Sequence, residues 1–358
     1  MNVIARFEIE FVQFLDHLGG VIQSLPAFAC DPQVLISLYR SMVFTRAFDA
    51  KAVALQRTGQ IGTFASSLGQ EAVSIGAASA MRPEDVLVPS YRDFGGQILR
   101  GVTIEELLLY WGGDERGNDF SGPRQDFPIS VPVASQAAHA AGAANAFKYR
   151  RDPRVAVCLL GDGGTSKGDF YEAINVAGAW ALPAVFVIIN NQWAISVPRS
   201  IQTAAKTLAQ KAIAAGIEGV QVDGNDIIAV RFVVERALQK ARSGSGPTVI
   251  EAVTYRLGDH TTADDSTRYR DAEEIKKQWM YEPLTRLRNY LLGCGAWNMG
   301  AEEVLRDDCA THVQKAVANY LALPQPQPEA MFDHLYAVLP KSIEGQRATA
   351  VAESRRHG

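Results

Sequence analysis

Residues 155–198 read VAVCLLGDGGTSKGDFYEAINVAGAWALPAVFVIINNQWAISVP, and this stretch decides the fold. The apolar run Val155–Leu160 reads as a buried strand. An amphipathic helix is expected near 168–180, then a second apolar strand at 184–189 that ends on Asn190-Asn191. Apolar strands alternating with helices argue for a mostly parallel sheet with helices on both faces, which binds ligands at its C-terminal strand ends. Asp162 and Asn191 both stand at such ends, each with a hard oxygen beside a glycine turn and a helix start. Mg2+ seeks oxygen ligands and takes one or two protein carboxylates plus phosphate. Glycines let backbone N–H groups approach phosphate, and a helix N-terminus favours the anion. The pattern therefore suits a cation that carries a diphosphate.

Two nucleotide readings fail here. A dinucleotide site needs GxGxxG and an acid at the end of the next strand, but that strand ends Ile188-Ile189-Asn190-Asn191. A P-loop needs GK[ST] after four spacers, and GDGGTSKG offers only Lys167. The plain reading of an isolated GDG is a turn whose glycines supply positive φ.

Outward from this stretch, residues 1–30 read as an arm, in which Phe7, Ile9 and Phe11 suggest a short strand. Asp31-Pro32 opens a helix over roughly 33–57, closed by Gly59. Further helices are expected at 70–81, 104–111, 135–150, 205–215 and 226–242, with strands at 86–89, 219–222 and 248–253. The C-terminal third reads as helix around 272–293 and 301–321. Pro324-Gln-Pro-Gln-Pro328 is a stiff spacer, so the expected division is an arm at 1–30, a domain at 31–322 and a spacer with a tail at 323–358.

Composition limits the function classes. The chain has 358 residues, 47% of them hydrophobic, so a sizeable core is expected. A net charge of −4 gives no reason to propose nucleic acid as a partner. Cys30, Cys158, Cys294 and Cys309 have no CxxC spacing, Cys158 reads as a core residue, and the expected setting is reducing and cytoplasmic. No membrane span or signal peptide is expected: the longest apolar stretch, Val176–Ile189, contains Pro183, and Glu8, Glu10 and Asp16 interrupt the early apolar region. His17, His312, His334 and His357 show no metal-ligand spacing, and His139 reads as a packed helix residue.

Residues 161–198, with four further motifs, resemble the alpha subunit of the decarboxylating component of 2-oxo acid dehydrogenase complexes, from about residue 31 to about 322. The motifs are Tyr91-Arg92 in VPSYRDFGG, the loop Ile129–Gln136, the segment TYRLGDHTTADDSTRYRD around His260, and the family-like helix start GQEA at 69–72. The resemblance implies a thiamine diphosphate-binding α/β fold with a helical C-terminal region. It implies oxidative decarboxylation of a small 2-oxo acid and transfer of the acyl group to a lipoyl group. Asp162, Asn191 and the backbone carbonyl of Trp193 would hold Mg2+, and Gly163 and Gly164 would lie against the cofactor. Tyr91 and Arg92 would contact the diphosphate, a phenol donor beside a guanidinium fork. Val131 and Val133 would lie against the cofactor rings, and Ser130, Pro132, Ser135 and Gln136 match positions that bind K+ in branched-chain relatives. The plain reading of that loop is a helix start capped by Ser135.

His260 matches a catalytic histidine that assists acyl transfer, a task suited to a side chain titrating near neutrality. Asp264, Tyr269 and Arg270 match residues that order its loop, Thr261 stands at the place of a regulatory phosphoserine in mitochondrial relatives, and Phe64 is a candidate for the substrate pocket. In GQEA, Gln70 and Glu71 read as helix-capping residues. Two departures are evident: Ile189 replaces a polar residue before the Asn pair, and Trp193 replaces a tyrosine.

No second α/β domain, of the kind that supplies a glutamate to the cofactor in this superfamily, is expected in a sequence of this length. A separate beta subunit in an α2β2 heterotetramer, and a lipoyl acyltransferase core, are the implied partners. Pyruvate is the first choice of substrate, because KTLAQKAIAAGIEGVQVDGND looks like bacterial pyruvate dehydrogenase alpha chains. The loop HTTADDSTRYR has the pattern of the branched-chain enzymes and keeps that alternative open. An acetoin-cleaving relative and a non-catalytic scaffold subunit are the weaker rivals.

Overall fold

The computed structural model describes residues 2–333 and 335–357. His334, set aside above on spacing, lies outside them. The strands are β1 (Glu10–Val12), β2 (Val86–Val88), β3 (Ala156–Gly161), β4 (Ala184–Asn190), β5 (Trp193–Ala194), β6 (Val197–Pro198), β7 (Glu218–Asp223) and β8 (Thr248–Val253). Six of them form one sheet in the order β1-β7-β8-β4-β3-β2, and every neighbouring pair is parallel. The remaining two, β5 and β6, form a small antiparallel hairpin.

Each strand residue is committed to one face by the two-residue period of the pleat. Val157, Leu159, Val185 and Val187 pack on one side, against helices Pro32–Arg57, Glu71–Ala80 and Ile227–Arg242. Ala156, Cys158, Phe186 and Ile188 pack on the other, against Ser135–Arg150 and Gly168–Ala179. Both faces are covered, so β3 and β4 are apolar throughout and were legible as runs rather than as alternations. Cys158 is fully buried, and burial pushes its thiol well above the ordinary range, as suits a packing residue.

Three local expectations need correction. The arm does form a strand, but its inward residue is Val12, while Phe7 and Phe11 are exposed. Asp226 determines that outcome: its Oδ2 accepts the Phe14 and Leu15 N–H groups at 2.7 Å each, while its Oδ1 caps helix Ile227–Arg242. The helix expected over 205–215 shrinks to Lys211–Ala214, because buried Glu251 captures the Leu208 and Ala209 N–H groups at 2.8 and 3.1 Å. The helix expected over 272–293 is broken by Pro283, and Glu282 caps a new helix, Pro283–Gly293. Beyond the Pro-rich spacer the tail contains the helix Lys341–His357. Among the described residues no helix is long and apolar enough to cross a membrane.

Candidate active site

Four neighbouring strands, β8-β4-β3-β2 in spatial order, open towards the same edge because they are parallel. β2 leads into Tyr91 and Arg92, β3 into Asp162, β4 into Asn191, and β8 into the segment that carries His260. Together they surround a cleft of about 640 Å³ whose walls include Tyr91, Arg92, Val131, Val133, Asp162, Gly163, Gly164, Asn191, Trp193 and His260. These residues are far apart in the chain; sheet order brings the four strand exits together, and the turn before helix Ser135–Arg150 adds Val131 and Val133.

Phe64 does not join them. Its side chain is 0% exposed and packs against Phe48, Phe94 and Trp111 with ring centroids 6.2, 5.6 and 5.0 Å away. Its neighbours Thr63 and Ala65 line the cleft instead. Extended chain turns alternate side chains to opposite sides, and the larger apolar one went to the core.

The glycine loop works by close approach rather than by unusual φ. None of Gly161, Gly163 and Gly164 has positive φ. A Cβ on Gly163 would stand 2.7 Å from the Ala194 Cβ, and one on Gly164 would stand 3.3 Å from both Leu160 and Val133. A 3-10 turn over Asp162–Ser166 separates the strand end from the helix, which begins only at Gly168. Lys211 clasps this turn, donating to the Thr165 carbonyl at 2.7 Å and to Thr165 Oγ1 at 3.0 Å. Thr165 Oγ1 in turn donates to the Asp162 carbonyl at 2.7 Å.

Asp162 is buried, with Gln202 Nε2 the one side-chain donor on its carboxylate among the described residues, at 3.3 Å. Burial pushes its carboxyl up to about 6, partly opposed by the Gly163 N–H, Gln202 and Arg256. An isolated buried carboxylate of this kind gains from a cation. Asn191 Nδ2 donates to Gln70 Oε1 at 2.9 Å, and the Trp193 N–H reaches Asn191 Oδ1 at 3.3 Å. The Trp193 carbonyl accepts from Arg256 Nη1 at 3.3 Å. Among the described residues no three His, Cys, Asp or Glu side chains cluster as a metal site. The donor set is thus one carboxylate with amide and carbonyl oxygens, the hard-oxygen chemistry of Mg2+ completed by phosphate.

Ser130, Pro132, Ser135 and Gln136 form one tight turn. Ser135 Oγ donates to the Pro132 carbonyl at 2.7 Å and lies 3.0 Å from Ser130 Oγ, and Gln136 Nε2 donates to the Ser130 carbonyl at 2.5 Å. Ser135 is the first helical residue rather than the N-cap, a position taken by Ala134 at φ 75°. Val131 and Val133 project from this turn, 57% and 38% exposed, on the cleft wall.

His260 departs from the expected near-neutral imidazole. Its Nδ1 lies 2.9 Å from Arg92 Nη2 and 3.3 Å from Arg256 Nη1. Guanidinium groups only donate, so Nδ1 accepts and the ring proton sits on Nε2. Burial, then Arg92 and Arg256, push the imidazole down to about 4, against an ordinary value of 6.5. The unfolded chain therefore takes up this proton before the folded one does, and His260's contribution to stability is lost as pH falls from about 6.5 to about 4. Arg92→Met is expected to raise the His260 titration by about one pH unit, read by NMR of the imidazole. An unchanged titration would remove Arg92 as a cause.

The loop after β8 is tied down at several points. Asp264 Oδ2 accepts the His260 N–H at 2.9 Å and also the Tyr269 hydroxyl. Arg270 donates to the Arg256 carbonyl, to the Gly258 carbonyl at 2.6 Å and to Ser266 Oγ at 2.9 Å. The hub that sequence reasoning missed is Arg256, fully buried, which also reaches the Ile195 carbonyl at 2.8 Å and the Tyr269 hydroxyl at 3.0 Å. An arginine after a strand reads as surface, and no pattern in the sequence signals otherwise. GQEA was also misread: Gln70 makes no side-chain cap bond, and Glu71 accepts the Gly69 N–H at 3.0 Å while pairing with Arg46.

Comparison with known proteins gives the family. The family described as "Dehydrogenase E1 component" matches residues 39–329. The 3-methyl-2-oxobutanoate dehydrogenase subunit alpha of Mycobacterium tuberculosis is 42% identical over 320 residues, 89% of this chain and 87% of that protein. The pyruvate dehydrogenase E1 component subunit alpha of Staphylococcus aureus is 40% identical over 341 residues, 95% of this chain and 92% of that protein. The corresponding Staphylococcus epidermidis protein is 39% identical over the same length. The two substrate names stand at similar identity, whereas the family that matches this chain is thiamine diphosphate-dependent. The chain belongs to the dehydrogenase E1 component family, as an alpha-type chain of a 2-oxo acid dehydrogenase.

Proposed function

We propose that this chain is the alpha subunit of a pyruvate dehydrogenase, which oxidatively decarboxylates pyruvate and passes the acetyl group to a lipoyl group. The observation that carries the reading is the convergence of Tyr91, Arg92, Asp162, Asn191 and His260 on one cleft from four adjacent strand ends. A non-catalytic scaffold would have no use for that convergence.

In this reading Asp162, Asn191 Oδ1 and the Trp193 carbonyl hold Mg2+. Tyr91, Arg92 and the backbone beside Gly163 and Gly164 receive the diphosphate, and Val131 and Val133 lie against the rings. When bound, thiamine diphosphate supplies the electron sink for loss of CO2. The chain's own residues bind, orient and donate. His260 presents a proton on Nε2, as a neutral donor rather than a base, while two guanidinium groups hold Nδ1. An anion beside Arg92 offsets that positive field and returns the imidazole towards neutrality. The Ser130–Gln136 turn gathers the Ser130, Pro132 and Ser135 oxygens, with Gln136 donating its Nε2 N–H to the Ser130 carbonyl, and a K+ ion there would draw on those three residues.

A separate beta subunit supplies the missing half of the cofactor site in an α2β2 enzyme, which serves a lipoyl acyltransferase core. The arm at 1–30 and the tail at 323–358 flank the cofactor-binding domain at 31–322. Four cysteines without disulfides fit a reducing, cytoplasmic setting.

The branched-chain alternative is favoured by the Mycobacterium tuberculosis relative. Co-expression with a beta chain, followed by turnover of pyruvate and 2-oxoisovalerate with an artificial electron acceptor, separates the two. Two extra methyl groups in a pocket are worth roughly tenfold or more in kcat/KM, so pyruvate is expected to lead by at least that factor. The reverse ratio makes the branched-chain substrate the correct one. No turnover of either by an assembled complex supports the scaffold.

A further inference from the structure

Gln70 stands at the cleft wall with a side chain that the cofactor reading has not used. It is 3% exposed. Its Oε1 accepts from Asn191 Nδ2 at 2.9 Å, and its Nε2 is buried without any partner among the described residues. A capping role does not account for it, because it makes no cap bond. A buried amide N–H2 without an acceptor costs free energy, and such groups are uncommon unless something completes them.

The bond to Asn191 also has a consequence for the cation. An amide presents either an oxygen or an N–H2 group, and only the oxygen can ligate a metal. While Gln70 Oε1 accepts from Nδ2, the Asn191 oxygen is the end left for a ligand. The Trp193 N–H at 3.3 Å is a long contact and fixes that choice weakly.

We infer that Gln70 is a positioning residue, whose Oε1 holds the Asn191 amide with its oxygen free for the cation and whose Nε2 donates to an acceptor atom of the cofactor. This inference rests on the reading of the cleft as a Mg2+ and thiamine diphosphate site. It also links the two ligands. An acceptor on Nε2 fixes the Gln70 amide, and the fixed Gln70 amide fixes Asn191.

The test uses the assembled enzyme with its beta chain and compares the parent with Gln70→Leu and Gln70→Glu. Trp111 and Trp193 line the cleft, so tryptophan quenching reports binding of thiamine diphosphate and of Mg2+ apart from turnover. Gln70→Leu removes both interactions and is expected to raise half-saturating Mg2+ about tenfold, with a smaller fall in kcat at saturation. Gln70→Glu keeps an acceptor for Asn191 but loses the donor. It is expected to hold half-saturating Mg2+ within about threefold of the parent while weakening thiamine diphosphate about tenfold. Parent-like affinities for both ligands in Gln70→Leu overturn the inference. So does a common loss of melting temperature and kcat with both affinities unchanged. Absence of Mg2+-dependent quenching in the parent overturns the reading of the cleft itself, and is thereby told apart from failure at Gln70.

Discussion

Asp162→Ala, assembled with the beta chain, is expected to lose Mg2+-dependent binding of thiamine diphosphate by on the order of a thousandfold, because it removes the one carboxylate from the ligand set. Calorimetry with the cofactor and Mg2+ measures it, and affinity equal to the parent's would end the ligand assignment. The protonation of Asp162 sharpens the test. Its folded value of about 6 lies above the ordinary 3.8, so the folded chain binds the proton more tightly than the unfolded chain does. The stability from that bound proton is full below pH 3.8 and is lost as pH rises through about 6. At neutral pH the bare carboxylate is charged, buried and poorly paired. Mg2+ offsets that charge but must displace the proton at lower pH, so apparent Mg2+ affinity is expected to fall about tenfold per pH unit below about 6. Asp162→Asn keeps the shape without the charge. Without ligands at pH 7 to 8 it is expected to melt no lower than the parent, although it binds Mg2+ far more weakly. A lower melting temperature would show that the carboxylate serves the fold itself.

Arg256→Met is expected to cost about 3 kcal/mol of stability and to loosen the loop that carries His260. The guanidinium serves four acceptors: the Trp193 and Ile195 carbonyls, the Tyr269 hydroxyl and His260 Nδ1. Two effects oppose one another in the variant. Removing a buried cation relieves repulsion from Arg92 and Arg270 and ends a desolvation cost that pushes Arg256 itself down to about 10. It also strips buried acceptors of their donor, at about 1–3 kcal/mol each, and with several affected the loss outweighs the relief. Ile195 adds to the effect, because it sits at φ 54° and its carbonyl is one of those acceptors. A β-branched residue is strained there and depends on its neighbours to stay. Chemical denaturation gives the stability, and limited proteolysis over residues 258–271 reports the loop. Parent-like stability with unchanged cleavage would show that Arg270 and Asp264 suffice.

The sequence was most legible where burial was complete and least where tertiary contacts compete for backbone groups. β8 was bounded at Thr248–Val253 and the helix at Ser135–Arg150 from pattern alone, because apolar runs and Asp152-Pro153 leave few alternatives. Residues 205–210 looked helical by composition and are not, since Glu251 on a distant strand takes two of their N–H groups. No local pattern announces that carboxylate. Phe64 shows the same limit at the site: its place in the sequence suggested the pocket, but the aromatic core claimed its ring.

By itself, the sequence determined the parallel α/β architecture, the strand ends that carry Asp162 and Asn191, and the family. Strand periodicity and turn glycines are local properties, and motif spacing survives without coordinates. Only the tertiary structure decided how the motifs act together. Sheet order placed four strand exits side by side. The packing of Arg92 and Arg256 against His260 put its proton on Nε2 and drew its titration well below neutrality. Contact with Asn191 turned Gln70 from a presumed cap into a residue of the cleft. Electrostatic and hydrogen-bond effects depend on distances of a few ångströms between residues remote in the chain, and a linear sequence does not contain those distances.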